Sequence, residues 1–150
     1  MEGDTPTENG APTPPIPRGT VNMEQATKEV EMWLDAKRIK ETKRENNDDS
    51  ITRMIEAVAD GSMVLDHETM HWTVNLAFPL GDNEGKKTLK VRPRITVRDI
   101  NTYMKGVKPT DASLRVQAYM ACITEETRGV IGGLDTSDYE LMQAIVIFFL

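Results

Sequence analysis

The sequence has one cysteine and two histidines in 150 residues, and no apolar run in it approaches the roughly 20 residues that span a bilayer. A single thiol cannot make an internal disulfide. Cys122 sits among Tyr119, Met120, Ala121 and Ile123, the setting of a small buried hydrophobe. A catalytic thiol would need a base beside it, and both histidines lie in a distant segment. The basic start and continuous apolar stretch of a secretory signal are also missing, so a cytoplasmic protein is expected. No internal repeat is visible. A formal net charge of −6 and a pI near 5.0 argue against general nucleic-acid binding, which relies on clustered Lys and Arg releasing counterions from phosphates. The composition thus points away from membranes, nucleic acid and cofactors.

What is present begins with a contrast. Residues 1–21 hold five of the eight prolines, three glycines and four threonines, with Ile16 and Val21 almost the only sizeable apolar groups after Met1. Such a stretch cannot offset its ordering entropy and is expected to be a disordered tail. From Met23 to about Arg44 the positions Met23, Ala26, Val30, Trp33, Leu34 and Ile39 follow helical spacing. Its second half is nearly all charged or polar, which predicts a helix projecting beyond the core and fraying at Asn46 and Asn47. Ser50 or Asp49 can cap a shorter helix through Ile51, Met54, Ile55 and Val58 that Gly61 stops.

The period then changes. Met70, Trp72, Val74, Leu76 and Phe78 alternate with polar or small residues, the mark of a strand with one apolar face. A turn over 81–85 leads to a second alternating run, Leu89, Val91 and Pro93 against Thr88, Lys90, Arg92 and Arg94, so the two form a hairpin. Three helices follow: one opened by Thr96 with Asp99 as a near capping box, one opened after Pro109 by Thr110, and one capped by Asp135 or Thr136. The expected fold class is α+β, with a tail over 1–21, a helical segment over 22–61 and an α+β domain over 62–150.

His67-Glu68-Thr69-Met70-His71 matches H-E-x-x-H, in which two histidines one helical turn apart bind zinc and the Glu serves as general base. That mechanism needs a helix, because only there do positions i and i+4 share a face. Here His71 falls in the strand pattern, so the competing reading is two solvent-facing histidines at a bend. A zinc hydrolase built on His67, Glu68 and His71 is the enzymatic alternative. Lys86, Lys87, Lys90, Arg92, Arg94 and Arg98 make a basic block with no acid before Asp99, readable as a solvated strand face or a surface for an acidic partner. No aromatic interleaves it to stack bases.

The run Ala144-Ile145-Val146-Ile147-Phe148-Phe149-Leu150 is apolar at every position, so at about 100° per residue it points apolar groups to every side of a helix. It is either a central core helix or a surface covered by a partner or a second copy. On the second reading Ile145, Ile147, Phe148 and Phe149 are the anchors, Arg92, Arg94 and Arg98 the charged rim, and the projecting helix around Trp33 and Leu34 a further apolar site.

The order of these features carries a resemblance: Phe78-Pro79 closing the first strand, Leu89-Lys90-Val91-Arg92-Pro93-Arg94-Ile95-Thr96-Val97-Arg98-Asp99-Ile100, then Ala121-Cys122-Ile123-Thr124 and Leu134-Asp135-Thr136-Ser137-Asp138-Tyr139 before Phe148. Over about Thr69 to Leu150 the chain resembles the tail assembly chaperones of Mu-like contractile-tailed phages. The resemblance implies a non-catalytic protein that binds the tape-measure protein, keeps that long apolar helix soluble and helps recruit tail-tube subunits. It further implies residence in the host cell cytoplasm, absence from the mature virion, and a longer product made by frameshifting. A structural tail component is the non-enzymatic alternative.

Overall fold

The structure, a computed structural model, describes residues 21–81 and 85–150. The expected tail, apart from Val21, and the middle of the expected 81–85 turn lie outside the described residues. Helix α1 runs Met23–Ala36, capped by the Asn22 side chain accepting from the Gln25 N–H at 2.8 Å. It does not continue to Arg44. Arg38 adopts a left-handed φ of 58°, and the Arg38 and Ile39 N–H groups return to the carbonyls of Asp35 and Leu34 at 2.9 and 3.0 Å. This is the paired closure that ends many helices, made here without glycine. The chain then folds back through α2 (Glu41–Asn46), whose Arg44 holds the Ile39 carbonyl and the Asp35 carboxylate. The predicted projection is therefore a turn folded onto the body, with Ile39 packed against the core.

Helix α3 (Asp48–Ala59) begins two to three residues earlier than the cap at Asp49 or Ser50 would place it, and Gly61 (φ 86°) stops it as expected. Then come β1 (Met63–Leu65), β2 (Trp72–Asn75) and β3 (Thr88–Val91) in an antiparallel sheet of that order. The predicted hairpin is β2–β3, with Trp72 opposite Val91 and Val74 opposite Leu89. The third strand comes from the short apolar patch Met63-Val64-Leu65, paired Met63 to Val74 and Leu65 to Trp72. Alternation sends Met63, Leu65, Trp72, Val74, Leu89 and Val91 inward.

The second half forms α4 (Val97–Tyr103), α5 (Ala112–Thr124), a short α6 (Arg128–Gly132) and α7 (Thr136–Val146), closed by a 3-10 turn over Ile147–Phe149. Thr96 and Asp99 form the full reciprocal capping box, and Asp135 caps α7. Asp111, not Thr110, caps α5, and α6 is an addition to the three expected helices. The class is α+β. Helix α7 lies between α3 and α5, α3 also packs on α1, and α5 reaches β3, α4 and α6. Residues 22–61 share one core with 62–150: Val30, Trp33, Leu34 and Met54 join Trp72, Met142 and Ile145 in it. Among the described residues no helix is long and apolar enough to cross a membrane.

Candidate functional site

The terminal apolar run is enclosed by the fold. Ile145 and Phe148 are buried, Ile147 and Phe149 half-buried, and Leu150 is 47% exposed. Trp33 and Leu34 line the same interior, with the Trp33 ring 6.3 Å from Phe148, 6.0 Å from Phe149 and 5.8 Å from Trp72. These residues were expected as surface anchors. The folded chain presents Ile145, Phe148, Trp33 and Leu34 to itself, because α3 and α5 pack on α7 and Trp33 of α1 meets Phe148 at its end, while Glu140 and Gln143 mark the exposed side of α7.

Lys37 seals this end. Its Nζ donates to the Pro93 carbonyl at 2.8 Å, lies 3.6 Å from the Phe149 ring centre and 5.4 Å from that of Trp33. Burial, with Arg94 and Lys43 nearby, lowers its pKa to about 8. Lys43 Nζ donates to the Leu150 carbonyl oxygen at 2.6 Å.

The basic block divides by position. Arg92 is half-buried and engaged within the fold, its guanidinium reaching Asp99 at 3.0 Å and Glu125 at 3.2 Å while its N–H donates to the Ile123 carbonyl. Expected as a rim contact, it instead pins the β3–α4 corner to the end of α5. Asp99 is held below the usual carboxylate range by the Thr96 N–H and hydroxyl, with Arg92 and Arg98 adding to this. Glu125 sits in the left-handed region (φ 57°), and its own and the following N–H close α5 on Cys122 and Ala121. Lys86 pairs with Glu126 at 2.9 Å. Arg94 and Arg98 stay exposed, with Val97 between them in sequence and 75% exposed at the first turn of α4. The corner is thus rigid underneath and apolar-basic on top.

His67, Glu68 and His71 lie in the β1–β2 hairpin loop. The Asp66 N–H closes it on the His71 carbonyl at 2.9 Å, the Asp66 carboxylate accepts from the Glu68 and Thr69 N–H groups, and Met70 turns left-handed (φ 62°) to admit β2. The helical face that would bring both imidazoles to one ion is absent there. His67 is exposed, 3.7 Å from Glu29, whereas Nδ1 of His71 is buried with no partner among the described residues. Among the described residues no group of three His, Cys, Asp or Glu side chains is placed to hold a metal ion. Cys122 is buried, and burial pushes its thiol above the ordinary range.

One feature has no local sequence signal. Asp138, in the Leu134–Tyr139 stretch that carries the resemblance, is 5% exposed and accepts the Ala77 N–H at 2.9 Å and the Phe78 N–H at 3.0 Å. The bonds span about sixty residues, beyond any local pattern. They end the alternation of β2, so Phe78, on the apolar parity of Trp72, Val74 and Leu76, is 57% exposed.

Compared with known proteins, the chain matches no family model, no curated protein and no solved structure.

Proposed function

We propose that this protein is a non-catalytic phage tail assembly chaperone that binds the tape-measure protein and helps recruit tail-tube subunits. The observation that supports the reading most is the β3–α4 corner. It lies in the stretch that carries the resemblance, and its exposed Arg94, Val97 and Arg98 offer an apolar contact with a basic rim. A long amphipathic helix bearing acids beside its apolar stripe is the matching client. Arg92 serves the site from below, since its two ion pairs fix the corner and reduce the ordering entropy lost on binding. The anchors belong to this corner, not to the buried terminal helix.

The test is co-expression with a tape-measure fragment. The wild-type chain should raise the soluble fraction of the fragment several-fold, and Arg94→Glu with Arg98→Glu should abolish that gain while the chaperone stays folded, since both side chains are exposed. No gain from the wild type would remove the reading. A gain kept by the folded double variant would remove the corner as its site.

A further inference from the structure

We infer that the Phe78-Pro79 loop is a second docking surface, for an amphipathic helix of another protein whose apolar stripe is bordered by Lys or Arg. Sequence parity alone would bury Phe78 with Trp72, Val74 and Leu76. The fold instead commits a buried carboxylate to hold it out. Both Asp138 oxygens take backbone N–H groups of the loop, charge-assisted bonds that fix the ring's mounting before any partner arrives. Leu80 anchors the far side, with Cδ2 about 3.5 Å from the place a Cβ on Gly133 would occupy. A large aromatic on a rigid mounting, exposed and ringed by exposed Ala77 and Pro79, has the makings of a binding hot spot, because little freedom remains to be lost.

Charge selects the occupant. The cleft beside Ala77 and Asp138, about 170 Å³, has Ala57 and Leu141 in its lining together with Glu56 in the last turn of α3 and Asp60 at its C-cap, whose carboxylate also accepts the Ser62 N–H. Those two acids are one helical turn apart, so they face the same way and match basic residues at the same spacing on a partner helix. Arg53, the basic group lining the cleft, is directed to Glu140 at 3.5 Å and to the Ser137 carbonyl at 3.4 Å, which leaves the rim acidic. The preference is opposite to that of the Arg94–Arg98 corner, so this surface is independent of the proposed client site.

The probe is a fluorescent helical peptide of about 18 residues with leucine on one stripe and lysine on the rest, titrated with the full chain; its control carries glutamate for lysine. The lysine peptide should bind more tightly than the control. Phe78→Ser and Glu56→Lys should each weaken it by about tenfold or more, whereas Arg94→Glu with Arg98→Glu should leave it unchanged. Asp138→Asn should weaken it with the ring still present, the mark of a positioning residue; Phe78→Ser, at an exposed site, decides the matter if the Asn variant does not fold. Equal affinity of folded Phe78→Ser and wild type, equal affinity for the two peptides, or no binding of either would overturn the inference.

Discussion

Phe148 and Asp138 show how differently two buried side chains act. Phe148 meets Trp33 edge-on and fills the space between α7 and α1, so its contribution is burial. Phe148→Ala should cost about 3–5 kcal/mol, the range for truncating a buried aromatic, read as a fall in the urea midpoint. A loss below about 1 kcal/mol would mean the side chain acts as a surface group after all. Asp138 buries a carboxylate, which is tolerable only because two N–H groups face its oxygens. Its burial gains specificity of path: without it, β2 would continue its alternation one step further. The two indole N–H groups of Trp33 and Trp72 have no acceptor among the described residues, so these rings stabilise the core chiefly by area and ring contact.

The elements end where backbone geometry, more than composition, dictates. Helix α1 looks continuous to Arg44 because no glycine or proline interrupts it, yet it closes at Arg38 through the same two bonds that Gly61 makes at the end of α3. A left-handed non-glycine residue costs about 1–2 kcal/mol, part of which glycine returns in unfolded-state entropy. Arg38→Gly should therefore stabilise the protein by about 0.5–1 kcal/mol, measured by thermal unfolding. A destabilised variant would show that α1 is continuous in solution. The caps read more easily. Thr96 with Asp99 and Asp135 before Thr136 are short-range patterns, and the structure uses them as the local chemistry requires. Strand β1 was legible only as an apolar patch, since three residues show too little alternation to separate strand from loop; its pairing with β2 makes it a strand.

At the scale of the whole molecule, charge is placed so that stability depends on pH from both sides. Asp66, Asp99 and Asp135 have folded pKa values below 3.8, chiefly through hydrogen bonds from Glu68, Thr96 and Ser137 respectively. The stability they add is present above that value and is lost as pH falls through the folded values. Lys37 works on the alkaline side. The unfolded chain keeps its proton to near 10.5 while the folded chain releases it near 8, so between those values the unfolded state binds more protons and this group's contribution rises with pH. Cys122 and Tyr103, raised by burial, act in the opposite sense above about pH 9 and 10. The Lys37 effect is isolated by comparison with Lys37→Met: the urea midpoint of the wild type should gain on that of the variant from pH 8 to 10.5, and a constant difference would refute the assignment.

The coarse succession of helices, hairpin and helices, the apolar face of β2, the non-helical setting of His67 and His71, and the exposed basic pair Arg94 and Arg98 follow from the sequence alone, because each rests on residues within a turn or two of one another. The fate of the terminal apolar run was open at that level, since a helix apolar on all sides fits either a core or an interface. Only tertiary packing settled it. Trp33 and Lys37 lie over Phe148 and Phe149, α3 and α5 close the flanks, and Val97 and Phe78 are left among the exposed apolar side chains. Burial is a property of what lies across from a residue, and contacts such as Asp138 to Phe78 or Arg92 to Glu125 join chain segments that no local pattern relates.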